Sequence, residues 1–86
     1  MQIIFSKSAQ KNLEKYDRIT KQRIKEGIEN LLKTPPEGDI KAMQGYSDGR
    51  YRLRIGKYRI VYRFDKNGNI TILFIISIDS RGSIYK

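Results

Sequence analysis

The stretch Tyr51-Arg52-Leu53-Arg54-Ile55-Gly56-Lys57-Tyr58-Arg59-Ile60-Val61-Tyr62-Arg63-Phe64 decides the fold. Successive side chains of a strand point to opposite faces, so Tyr51, Leu53 and Ile55 fall on one side and Arg52 and Arg54 on the other. After Gly56-Lys57 the alternation resumes, with Tyr58, Ile60, Tyr62 and Phe64 set against Arg59, Val61 and Arg63. A glycine at the first central position of a two-residue connection suits a type II′ turn, and the stretch therefore predicts a β-hairpin. Ile55 then faces Tyr58, Arg54 faces Arg59, Leu53 faces Ile60 and Arg52 faces Val61. In that register Arg52, Arg54, Arg59 and Arg63 share one face. Like charges directly across a strand pair are unfavourable by up to about 1 kcal/mol, so the cluster calls for an anionic counterpart. The other face, including the Tyr58 and Tyr62 rings, is read as core.

Outward from the hairpin, Asp65 to Asn69 contains Asn67-Gly68 and makes a second reversal, followed by a strand over Ile70 to Ile78. That strand is apolar on both alternating faces, which suits a central strand covered on both sides. On the N-terminal side, residues 37 to 50 hold Gly38, Gly45, Asp48 and Gly49 with no sustained period and read as a loop. Before them lie two amphipathic helices. Ser8 offers an N-cap to the first, with Ala9, Leu13 and Tyr16 on one face, and Asp17 caps the second, with Ile24, Ile28, Leu31 and Leu32 at helical spacing. Pro35 and Pro36 end the second helix. Gln2 to Phe5 reads as an opening strand. The order β-α-α-β-β-β predicts an α+β fold, a helix hairpin packed on one face of a mainly antiparallel sheet, in one domain spanning residues 1–86.

Composition narrows the chemistry. The 86-residue chain has no cysteine and no histidine, so thiolate or imidazole catalysis is excluded and a zinc site would need carboxylates alone; no metal or cofactor is expected. No stretch approaches the ~20 apolar residues of a membrane span, and Met1-Gln2-Ile3-Ile4-Phe5 is short for a signal peptide, so a cytoplasmic location without a membrane partner is expected. The formal charge is +9, unevenly placed: residues 1–39 hold 8 basic and 6 acidic side chains, residues 40–86 hold 10 and 3. Such a field favours phosphate backbones, anionic membranes or acidic proteins. Arginine supplies four of the five basic residues between Arg52 and Arg63, and its planar fork matches phosphate oxygens. Arg81 and Tyr85 add a further cation and a ring able to stack on a base.

The segment Tyr51 to Tyr62 resembles the signature of the RelE/ParE superfamily of toxins. It is preceded by Ile40-Lys41-Ala42-Met43-Gln44-Gly45, similar to the family's loop into the hairpin, and followed by Ser80-Arg81-Gly82-Ser83-Ile84-Tyr85, similar to the RelE-type terminal element. The resemblance covers essentially the whole chain and implies a ribosome-dependent endoribonuclease that cuts mRNA in the A site without a metal. It places Arg52, Arg54, Arg59, Arg81 and Tyr85 at catalytic positions: the first three on the scissile phosphate, Arg81 near the leaving 5′-oxygen, Tyr85 stacking on or orienting a nucleotide. Lys41, Arg50, Lys57, Arg63 and Lys86 are expected to bind RNA. Where some members carry lysines, this chain has Arg52 and Arg54, and a guanidinium with pKa above ~12 is a poor general base. Tyr85, Lys41, Asp79 or no protein base at all remain open. Asp79 and Glu37 are the carboxylates expected closest to the site.

Two other functions share this scaffold: a ParE-like inhibitor of DNA gyrase, and an RNA-binding member without nuclease activity. The resemblance also implies two partners, a cognate antitoxin protein and the ribosome with mRNA in its A site.

Overall fold

A computed structural model describes residues 1–80. The hairpin forms in the expected register. Strand β3 (Tyr51–Ile55) pairs antiparallel with β4 (Tyr58–Asn67), with Ile55 opposite Tyr58, Arg54 opposite Arg59 and Leu53 opposite Ile60. Gly56 has φ +57° while Lys57 keeps a negative φ, the combination that distinguishes a type II′ turn from a type I′ turn. The remaining elements are β1 (Gln2–Phe5), α1 (Lys7–Lys15), α2 (Arg18–Asn30), β2 (Asp39–Ala42) and β5 (Ile70–Ser80). Among the described residues they form one sheet in the order β1-β5-β4-β3-β2, antiparallel except where β1 runs parallel to β5.

The two helices cover one face of this sheet. Ile24, Ile28 and Leu31 from the α2 segment and Ala9 from α1 meet Leu53, Ile60, Tyr62, Leu73, Ile75 and Ile78 in a single core. Tyr62 is 1% exposed, and Tyr58 packs at the core's edge against Tyr16, with ring centroids 4.9 Å apart. The expectation that both tyrosines are packing residues holds.

Four local expectations are corrected. Ser6, not Ser8, caps α1: its hydroxyl accepts from Ala9 N at 3.1 Å and also donates to the Ile76 carbonyl at 2.7 Å. That second bond ties the helix start to β5, and Asn12 Nδ2 donates likewise to the Ile78 carbonyl at 2.9 Å. The carbonyls lie beyond the end of β1, where β5 would otherwise present an unpaired edge. Second, residues 39–42 are a strand rather than loop, with Ile40 opposite Leu53 and Lys41 opposite Arg52. Third, the second hairpin is longer than expected, with Asn67 opposite Ile70 and the turn at Gly68-Asn69.

Fourth, β5 is not covered on both sides by the described elements; its apolar run instead accommodates a bulge. Val61 pairs with Ser77 but Tyr62 pairs with Ile75, leaving Ile76 as an extra residue. Ile75 and Ile78 are three apart and would face opposite sides of a regular strand. The bulge brings both into the core, where each is 0% exposed. Asp17 caps α2 as expected, accepting from Thr20 N at 2.8 Å. Among the described residues no helix is long and apolar enough to cross a membrane.

Candidate nucleic-acid interface

Because Leu53 and Ile60 are committed to the core, strand alternation turns Arg52, Arg54, Arg59 and Arg63 to the face opposite the helices. Arg54 and Arg59 are direct cross-strand partners, and Lys41 stands opposite Arg52 on the neighbouring edge strand. The structure therefore gathers Lys41, Arg52, Arg54, Arg59 and Arg63 on one surface. Arg81, Tyr85 and Lys86 lie outside the described residues.

Carboxylates divide this surface into two groups. In the first, Asp39 on β2 stands opposite Arg54 and lies 3.4 Å from Arg54 Nε and 3.8 Å from Arg52 Nη2. In the second, Asp48 takes both Nε and Nη2 of Arg50, at 3.0 and 2.8 Å, and also approaches Arg63 Nη1 at 3.4 Å. Arg63 is further held by Asp65 at 3.2 Å and lies over the Phe74 ring at 4.8 Å. The Arg50 guanidinium in turn covers the Tyr46 ring at 4.1 Å. Asp48 thus latches the 43–50 loop to β4. Its bond to Arg50 holds the carboxyl below its ordinary pKa, and the same bond raises that of Arg50.

The first group is less completely neutralised. Arg52 Nη1 and Arg59 Nε are buried and have no hydrogen-bond partner among the described residues. Buried polar groups are overwhelmingly bonded, so two such guanidinium nitrogens on adjacent strands mark a place where no described residue supplies the acceptor. Asp79, in register with Arg59, does not supply it: no ion pair forms between them, and its carboxylate oxygen lies 3.5 Å from Asn12 Nδ2 on α1. Glu37 is likewise engaged elsewhere, with Lys33 at 3.2 Å. Neither carboxylate expected closest to the site forms an ion pair with these arginines, although Asp79 is in register with Arg59 and Glu37 borders the same cavity as Arg54. Lys57 in the turn is also apart, its ammonium 5.5 Å from the Tyr58 ring and attracting the Asp17 carboxylate at the start of α2.

Asp39, Asp48 and Tyr46 were not singled out by sequence reasoning as site residues. Asp39 carried a readable signal, since it alternates with Lys41 about the inward Ile40, but only pairing with β3 gives that alternation meaning. Tyr46 and Asp48 sit in a loop without periodicity. Among the described residues, no group of three or more carboxylates gathers where it could hold a metal ion.

Residues 3–85 match the family described as ParE toxin of type II toxin-antitoxin system, parDE. Curated proteins supply no match. Among solved structures, the RelB-RelE antitoxin–toxin complex of Methanococcus jannaschii contains a chain 33% identical to this one, with TM-score 0.66, covering 95% of this chain and 94% of that chain. The RelE-RelB complex of Pyrococcus horikoshii OT3 gives 26% identity and TM-score 0.71, with 94% of each chain covered. A YoeB/ParE toxin from Agrobacterium tumefaciens, at 23% identity and TM-score 0.79, shares the fold over 93% of this chain and 98% of its own. A family match over nearly the whole chain, on the same helix pair and five-stranded sheet, means that the chain belongs to the RelE/ParE superfamily of type II toxin–antitoxin toxins.

Proposed function

We propose that this toxin is a ribosome-dependent endoribonuclease that cuts mRNA in the A site, residues 1–86 acting as one toxin domain. The observation that carries the reading is the Arg52, Arg54 and Arg59 group, whose buried Arg52 Nη1 and Arg59 Nε lack an acceptor among the described residues. A phosphodiester oxygen is the acceptor that suits such forks.

In this reading the 2′-hydroxyl of one nucleotide attacks the adjacent phosphorus. The O2′–P bond forms, the P–O5′ bond breaks, and the products are a 2′,3′-cyclic phosphate and a 5′-hydroxyl. The proton leaves the 2′-oxygen and one is delivered to the 5′-oxygen. Arg52, Arg54 and Arg59 bind the phosphate and stabilise the charge that builds on its oxygens, a contribution typically larger than any single proton transfer. Arg81 serves near the leaving oxygen and Tyr85 orients a nucleotide; Lys41, Arg50, Arg63 and Lys86 extend the backbone-binding surface, with Lys57 at its margin. The general base is Lys41, Tyr85 or none from the protein. Asp79 is set aside because its carboxylate is directed to Asn12.

The pairing of RelE with RelB in the Methanococcus jannaschii and Pyrococcus horikoshii complexes supports a cognate antitoxin as the partner that restrains this chain. The reading places its action in the cytoplasm, on translating ribosomes. A second reading, inhibition of DNA gyrase, is favoured by the ParE description of the matching family. Primer extension on a translated message after toxin induction separates the two. Cuts confined to A-site codons support the ribonuclease; intact message with arrested replication supports the gyrase inhibitor.

A further inference from the structure

The ribonuclease reading leaves unused the one described carboxylate that touches its phosphate site. Asp39 stands on the edge strand β2, 59% exposed, between Arg54 Nε at 3.4 Å and Arg52 Nη2 at 3.8 Å. Arg52 is only 14% exposed, so its fork is set largely by what surrounds it, and Asp39 is its ion-pair partner among the described residues. A carboxylate shared between two forks fixes their spacing and orientation. It also partly satisfies the attraction that a phosphate would otherwise find. The anionic counterpart that clustered arginines require is thus partly built into the chain, while Arg52 Nη1 and Arg59 Nε have no hydrogen-bond partner among the described residues.

We propose that Asp39 is a positioning residue that doubles as an internal competitor. In the free protein it aligns Arg52 and Arg54 for the phosphate, and it must share or surrender them when a phosphodiester binds. Its effect on cleavage rests on the ribonuclease reading; its effect on binding requires only that this face receives a polyanion. Loss of the charge then has two opposite consequences. Binding tightens, because guanidiniums relieved of their own carboxylate neutralise more of the ligand. Turnover slows, because the forks lose their alignment.

The test compares Asp39→Asn and Asp39→Glu with the unmodified protein, with Asp39→Ser as a second neutral variant should Asn not fold. Anisotropy titrations use a fluorescein-labelled single-stranded DNA oligonucleotide, which lacks the 2′-hydroxyl and is not cut. The neutral variants bind it severalfold tighter at low salt, and the slope of log affinity against log salt steepens by about 0.7, the value for one additional phosphate neutralised on a single strand. On ribosome-bound message they lower kcat by about 10- to 100-fold, in line with a small misplacement of reacting groups, while KM does not rise. Asp39→Glu keeps the original salt slope and recovers part of kcat. An unchanged or shallower slope in the neutral variants overturns the competitor role. A rise in KM with kcat intact overturns the positioning role. If the unmodified protein cuts no message, the ribonuclease reading fails and the salt slope alone decides for or against Asp39.

Discussion

Arg59→Met separates what the arginine face contributes to the fold from what it contributes to function. Methionine preserves much of the aliphatic stem and deletes the guanidinium whose Nε is buried without a partner among the described residues. An unsatisfied buried donor costs about 1–3 kcal/mol, and because Arg59 is only half-buried the lower end, ~1 kcal/mol, applies. Relief of the direct Arg54–Arg59 repulsion adds about a few tenths of a kcal/mol. The variant should therefore be the more stable protein by about 1 kcal/mol, equivalent to a rise in Tm of about 4–8 °C for a domain of this size. Paired thermal melts by circular dichroism in one buffer measure it. Cleavage by the same preparation should fall by at least about 100-fold, the usual effect of removing one donor to a developing oxyanion. A Tm lowered by several degrees would refute the reasoning, since Arg59 would then be holding the fold through partners of its own. Unchanged cleavage would remove Arg59 from the phosphate site.

Two pH responses follow from the same structure. Burial pushes the Tyr62 phenol up to about 12 from 10.0, with Tyr51 adding to the shift, so the unfolded chain ionises first. The stability this hydroxyl contributes is complete below pH 10 and is lost as pH rises to about 12; urea unfolding across that window should show it, and Tyr62→Phe should flatten the loss. A Tyr62 phenol titrating near 10 would contradict this. Asp48 behaves oppositely: its carboxyl is lowered from 3.8, so the latch from the 43–50 loop to Arg63 persists above that pH and opens only as pH falls through the lower folded value. The Asp48 carboxyl carbon followed by NMR should show a midpoint below 3.8, and one at or above it would break the latch argument.

The hairpin was legible because two independent signals agree on one register: alternation over Tyr51–Phe64, and a glycine whose positive φ the turn requires. The arginine face followed directly. Strand β2 was not legible, because Asp39-Ile40-Lys41-Ala42 offers one inward apolar residue, and its strand character comes from hydrogen bonding to β3 rather than from its own sequence. The bulge at Ile76 was hidden for the opposite reason. A run apolar on both faces specifies no register, and only the packing of Ile75 with Ile78 beneath the helices selects one. Ser6 and Ser8 are chemically equal as caps; the bond from Ser6 to Ile76, a contact across most of the chain, decides between them. The same dependence on distant pairing concealed Asp39, whose place beside Arg52 and Arg54 exists only once β2 joins the sheet.

Dependence of cleavage on the ribosome is the step of the proposed function most open to direct measurement. The chain has no histidine and no cysteine, and its arginines are poor bases, so under the proposed ribonuclease function little of the rate can come from proton abstraction by the toxin and more must come from in-line placement of the 2′-oxygen. An A-site codon held by the ribosome can supply that geometry, a contribution reaching several kcal/mol. Single-turnover rates at equal toxin concentration, on one message free and on the same message in ribosomes with an empty A site, measure it directly. Cutting should be at least about 100-fold faster on the ribosome. Comparable rates on the two substrates would contradict it.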